Sequence, residues 1–373
     1  MRAAHHPSPR RFLAVALSLL AGSCTAFGGL SNEESERLAG YTERAERYFA
    51  SKDYPRASQQ IEKGLKVDAY DYRLNQLRGQ ILLRQARSDP ARFRDALRQF
   101  ERVRGLRSDG EHDYLTFLGL GQANQGLYQL HRRRWREFQA KAGRSPKGSP
   151  ERREARAKAE ENLRLARRYL DAAERAFQHM VELGDGLVQA RRYLFKIAAD
   201  RIQDLEGKAR ERQFDEAISK GLAYLDLVLA RKKHYRNKEE EGAAGLPAPL
   251  QIDLENEARR RRREYEMQEI ECRGILHALY YHSGRYAKAI QHLDALIALD
   301  PTRAPEYYNR ALCHYKLGHL EEASRDFQDF LRLTSLPFDA PKVREASAYL
   351  TRIEESKKRR KRGETSDRGP SRP

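Results

Sequence analysis

The chain has 373 residues, of which 34% are charged, with a formal net charge of +18 and a mean hydropathy of −0.87. That balance means much surface for little core and fits an elongated helical protein. Runs alternating Val, Ile or Thr with polar residues are absent, so nothing supports a sheet, and three cysteines are too few for a disulfide framework.

The opening, MRAAHHPSPRRFLAVALSLLAGSCTAF, sets Arg2, Arg10 and Arg11 ahead of an apolar run from Phe12 to Gly22. The run is far short of the roughly 20 apolar residues a membrane span needs, and residues 1–23 have the layout of an export signal. Leu20-Ala21-Gly22-Ser23-Cys24 resembles the lipobox of bacterial lipoproteins, with Ala21 where Leu is usual. The resemblance implies cleavage before Cys24 and lipidation of its thiol. An ordinary secretory signal with an incidental Cys is the other reading. Residues 24–30 become a tether of at most roughly 25 Å, which would hold the body against its membrane. Thr25 lacks the Asp associated with inner-membrane retention, so the expected place is the outer membrane, facing the periplasm. The inner membrane or the soluble periplasm is the alternative.

Residues 31–110 read as N-terminal helix pairs. Ser31-Asn-Glu-Glu34 is a capping box that starts the first helix. A pair from Leu38 to Asp71 carries Tyr41, Ala45, Tyr48, Tyr54, Ala57, Ile61 and Leu65. A second pair, from Tyr72, has Gly79, then Phe93, Ala96, Phe100 and Val103 five residues late, which predicts a lengthened turn around Arg87 to Pro90. Residues 111–250 are a degenerate, long-helix middle. One helix starts near His112 and runs through HRRRWREFQAKA; GRSPKGSP, from Gly143 to Pro150, is a loop. A long helix from Arg153 to Leu183 is expected to bury Leu165, Tyr169, Ala172, Phe177 and Val181. Asp185 to Arg231 makes a further pair with Phe214 and Ala217 inside, and Glu239 to Pro249 reads as a flexible link. An irregular helical bundle interrupted by coiled coil is the rival for this middle. Residues 251–337 begin with the long helix Leu254 to His282 and hold two well-matched units. Residues 338–358 cap the stack with a helix from Lys342, and 359–373 form a basic tail too polar to order itself.

The strongest periodicity lies near the C-terminus. Gly284, Tyr286, Ala289, Leu293, Leu296 and Ile297 recur 34 residues later as Gly318, Leu320, Ala323, Phe327, Phe330 and Leu331, and Asp300-Pro301 closes the first unit. This register resembles the tetratricopeptide repeat family, whose unit is two antiparallel helices. The resemblance implies an all-α, right-handed solenoid of such pairs, in which small residues admit close helix approach and stacking buries what one pair cannot. It also implies a groove lined by the first helix of each unit, where an extended peptide or a partner helix lies. By position, the groove residues are Gly274, Ala278 and Tyr281, then Tyr308, Leu312 and Tyr315, and in the first repeat Thr42, Glu46 and Phe49. Equally, several of these tyrosines can simply pack between helices. The Lys and Asn arrangement by which chaperone-binding relatives clamp a terminal carboxylate is missing.

No catalytic constellation is present: no phosphate loop, no nucleophile elbow, no zinc motif. The expectation is a non-enzyme without cofactor or metal. Cys272 and Cys313 read as small buried hydrophobes. Three basic runs remain, Arg132 to Arg136, Arg259 to Arg263, and Lys357 to Arg362. Solvated helix faces explain them. A functional alternative makes Arg132, Arg133, Arg134, Arg259, Arg260, Arg261, Arg262 and Arg263 contacts for anionic lipid or cell-wall polymer; export argues against nucleic acid. The sequence thus points to a lipid-anchored envelope scaffold that docks another envelope protein or peptide and takes part in assembling envelope complexes. It leaves the oligomeric state open.

Overall fold

The computed structural model describes residues 30–106, 114–184, 187–241 and 248–361. Cys24, the expected leader and tether, and the tail from residue 362 lie outside them. The described residues form thirteen α-helices and one 3-10 turn, with no strand. Within each of two compact units, successive helices pair as hairpins that pack in chain order, the expected all-α solenoid class. The units are divided between Glu111 and His112.

The first unit holds α1 (Asn32–Ala50), α2 (Tyr54–Val67), α3 (Tyr72–Gln85) and α4 (Arg92–Gly105). Ser31 caps α1 reciprocally: its hydroxyl accepts from the Glu34 backbone N–H at 3.2 Å, and the Glu34 carboxylate accepts from the Ser31 N–H at 2.9 Å. Asp53 and Asp71 cap α2 and α3 in the simpler way, through the N–H groups of Arg56 and Leu74. Ala45, Ala57, Ile61 and Leu74 fill the first interface. The α3–α4 turn spans Ala86 to Ala91, against Ser51 to Asp53 for the preceding hairpin, so the late arrival of Phe93 is absorbed there. Gly79 is what lets the Phe100 ring lie on α3, because a Cβ would meet that ring at 2.8 Å.

The second unit opens with a hairpin of α5 (Tyr114–Arg144) and α6 (Pro150–Glu182). Ser149 caps α6, and Pro150 occupies its first turn. The buried stripe of α6 runs Ala159, Asn162, Ala166, Leu170, Ala173, Phe177 and Met180. Leu165, Tyr169, Ala172 and Val181, expected inside, are only half-buried. The stripe follows the alanines because α5 approaches closely: Gly121 faces the Phe177 ring, where a Cβ would come within 2.4 Å.

Next come α7 (Leu187–Arg201) with the 3-10 turn Ile202–Asp204, then α8 (Gly207–Glu241) and α9 (Ala248–His282). The expected link from Glu239 is helical at both ends; residues 242–247 lie outside the described residues. Helix α8 continues to Glu241 because Glu239 accepts from Arg259 at 3.0 Å and from Arg262 at 2.7 Å, tying its last turn to α9. At 35 residues, α8 and α9 are each about 52 Å long, more than twice their neighbours α7 and α10.

The chain ends with α10 (Tyr286–Leu299), α11 (Ala304–Leu317), α12 (Leu320–Leu333) and α13 (Pro341–Lys361). Gly284 and Gly318 turn α9 into α10 and α11 into α12 with φ of +75° and +78°, the left-handed region that a Cβ disfavours. Beyond each, a backbone N–H reaches back five residues, from Arg285 to Tyr280 and from His319 to His314, the Schellman pattern. Ala289, Leu293 and Leu296 of α10 close a core with Cys272, Leu276 and Cys313. Burial pushes both thiols up to about 12. Helix α13 stands where the first helix of another unit would, with Val343, Ala346 and Ile353 against Phe327 and Phe330.

Candidate functional site: a groove across first helices

The first helices of three successive hairpins, α5, α7 and α9, together with the start of α8, line a groove of about 720 Å³ in the second unit. Helix α5 contributes Gln125 and Gln129, one turn apart; α7 contributes Lys196, Ala199 and Asp200, and the 3-10 turn after it Gln203. From α9 come Glu271, Gly274, Ile275, Ala278 and His282. These spacings of three and four residues keep each set on one helix face. Phe214 of α8 closes one side with the Arg210 guanidinium 5.6 Å above its ring.

The floor is made of small residues: Ala199, Gly274 and Ala278. Gly64, Gly79, Gly121 and Gly221 lie inside helices because a Cβ would come 2.3 to 2.8 Å from Leu74, Phe100, Phe177 and Phe195. Gly274 is different. A Cβ there meets nothing within 4 Å, so internal packing does not call for the roughly 1 kcal/mol a helical Gly costs relative to Ala. The vacancy opens into the groove.

The charges are largely settled internally. Glu271 binds Lys196 at 2.5 Å and Arg192 at 2.6 Å. Burial raises its pKa, but the Lys196 hydrogen bond and both cations more than offset this and hold the carboxylate ionised. What faces the opening besides Asp200, Arg210 and His282 is then amide and hydrocarbon. Gln125, Gln129 and Gln203 can each donate to and accept from a peptide backbone, while the small floor admits that backbone closely.

Of the residues expected in the groove, Gly274 and Ala278 lie on its floor. Tyr281 is half-buried, with its ring edge-on to Tyr286 at 5.4 Å. Tyr308 is a correction: it is 5% exposed and packs against Phe327 and Phe330. Tyr315 meets Tyr349 of α13 at 4.8 Å, and Leu312 packs on the same cluster. The physical reason is α13, which takes the place a ligand would need. In the first unit Thr42 is buried, with its hydroxyl donating to Leu38 O at 3.0 Å. Glu46 is exposed and 3.9 Å from Arg73, and Phe49 tilts against Tyr54. The residues from α5 and α7 were not foreseen. Their signal, polar or small side chains repeating every three to four positions, is hidden by irregular turn lengths.

The basic runs also divide. Arg132 is 4% exposed, its guanidinium 4.4 Å above the Trp135 ring and 3.4 Å from Gln203, so it is a packing residue and no contact for a polyanion. Arg133 and Arg134 are exposed. Arg259 and Arg262 bind Glu239, and Arg261 binds Glu264 at 3.1 Å. Arg260 and Arg263 point outward with no ion pair among the described residues. No group of three or more His, Cys, Asp or Glu among the described residues could hold a metal ion. No described helix is long and apolar enough to cross a membrane.

The repeat spacing, the paired helices and the glycine turns all bear on family. Residues 276–351 match the tetratricopeptide repeat family. No curated protein matches the chain. Among solved structures, the chain is similar to the TPR domain of P58(IPK), at 12% identity and a TM-score of 0.23 over 86% of this chain and 99% of that one. It is also similar to the TPR2AB domain of yeast Sti1, at 9% identity and a TM-score of 0.26 over 86% and 99%. Yeast Tom70 matches at 12% identity and 0.22, over 88% and 90%. At such scores the tetratricopeptide fold rests on the helix pairs of this chain and on the 276–351 match.

Proposed function

We propose that this chain is a non-catalytic scaffold that holds a partner polypeptide in the α5–α7–α9 groove, and that a lipid on Cys24 anchors it in the outer membrane, facing the periplasm. The observation that carries the first part is Gly274, an interior helical glycine whose missing side chain serves no packing within the chain. A groove of this size, with a small-residue floor, an apolar wall and convergent amides, suits an extended segment of a few residues better than a reacting small molecule. The anchor rests on the lipobox-like Leu20 to Cys24 and on the short reach of residues 24–30. Assembly of envelope complexes is the setting that combination fits.

A photocrosslinking side chain at Ala278 tests the groove in intact cells, with the exposed Gln291 of α10 as the control position. We expect a discrete adduct at Ala278 alone, lost when Gly274→Leu fills the floor. Identical adducts at both positions, or an adduct indifferent to Gly274→Leu, rule the groove out. For the anchor, radiolabelled palmitate should label the wild type and leave Cys24→Ala unlabelled; equal labelling removes it.

A further inference from the structure

We propose that the ligand of the groove extends beyond it along the outer half of α9 and is acidic there, an inference that rests on the groove reading above. The face of α9 that forms the groove does not end with it. Stepping toward the N-terminus from Gly274 by three or four residues, through Glu271, gives Met267, Arg263, Arg260 and Asn256, all within one helical stripe. These four, with Arg259 and Glu264, border a second hollow of about 500 Å³. From Asn256 to His282 the stripe measures about 39 Å.

This outer half belongs to the part of α8 and α9 that outruns α7 and α10. The side of α9 turned to α8 is fully engaged: Lys232 binds Glu269 at 2.6 Å, Tyr235 stacks on Tyr265, and Glu239 takes Arg259 and Arg262. The stripe is left open. Met267 is 64% exposed, and Arg260 and Arg263 are exposed without an ion pair among the described residues. Of the acids along it, Glu264 is bound by Arg261 and Glu271 by Lys196 and Arg192, while Glu257 and Asp253, at its outer end, have no ion pair among the described residues. In the hollow itself three arginines line the wall with one acid, Glu264, so the field there is positive, next to an exposed thioether that suits an apolar side chain. A polypeptide continuing from the amide-lined floor would meet two free guanidiniums, which bind carboxylates in fork geometry. An acidic peptide is favoured over a membrane or a nucleic acid because the two cations continue a peptide-sized groove and do not form a broad basic face.

The test uses the full chain carrying Cys24→Ala and two fluorescein-labelled peptides. Each has a Leu, Val and Ser half; the other half is Glu-rich in one and Gln-rich in the other. The Glu peptide should bind the unmodified stripe roughly three- to tenfold tighter, the range expected for two exposed ion pairs. Arg260→Gln with Arg263→Gln should erase that difference, and the paired Lys substitutions should keep most of it. Gly274→Leu should weaken both peptides equally. Equal affinity of the two peptides, or a difference that survives the double Gln variant, overturns the inference while the groove stands. So does binding of anionic vesicles or a DNA oligonucleotide that responds to the double variant when neither peptide does. Failure of Gly274→Leu to weaken either peptide overturns the groove itself.

Discussion

Glycine 221 and glycine 274 occupy the interiors of adjacent long helices and answer opposite needs. At Gly221 an added methyl would sit 2.5 Å from the Phe195 ring and 2.7 Å from Leu276, both fully buried, so α8 would have to part from both α7 and α9. Gly221→Ala should cost about 1–3 kcal/mol. Gly274→Ala meets open space and should instead raise stability by roughly 0.5–1 kcal/mol through helix propensity alone. Urea titrations of both variants check this; loss of stability at Gly274 would mean that its vacancy has an internal packing role. The two residues look alike in sequence, since each is a Gly within a helical pattern. Only the neighbours that three-dimensional packing brings in tell them apart. Tyr308 teaches the same lesson in reverse: its repeat position was legible, but whether a ligand or α13 covers it depended on how the stack ends.

At the scale of the helix, a buried histidine links α9 to α10. His292 is buried and stacks on Tyr280, with ring centroids 5.4 Å apart. Burial, reinforced by the positive charges of Arg273 and Lys288 and by neighbouring His277, lowers it from the ordinary 6.5 to about 4. The folded chain therefore keeps His292 neutral, and the unfolded chain takes up the proton more readily. Its contribution to stability is whole above pH 6.5 and is lost as the pH falls from 6.5 to 4, by on the order of 3 kcal/mol. Melting curves across that window should show a shallower acid loss for His292→Phe than for the wild type; identical slopes would refute the assignment. Element by element, capped and punctuated helices were the readable ones: Ser31 with Glu34, and the Gly284 and Gly318 turns. The rotation of α6 was not readable, because large side chains attract notice while Ala159, Ala166 and Ala173 make the contact. The end of α8 was not readable either, since what prolongs it is Glu239 meeting arginines some twenty residues away.

For the molecule as a whole, the all-α class followed from composition and the 34-residue register, and the long α5–α6 hairpin from the loop that divides it, whereas the full length of α8 did not, being fixed by contacts with α9 distant in sequence. A stack of pairs must be closed where it stops. Helix α13 closes this one: Tyr349 lies parallel to the Phe327 ring at 5.1 Å, and Ile353 is fully buried. A chain ending at Leu336 should therefore melt at lower temperature and aggregate, as measured by circular dichroism and light scattering. Unchanged melting would show that the two matched units need no closing helix. The thiols of Cys272 and Cys313 have a practical consequence. Each is fully enclosed and protonated far above neutral pH, so an alkylating reagent reaches them only while the surrounding core is open. In a chain lacking Cys24 they form a built-in clock, reporting how often the heart of the stack breathes.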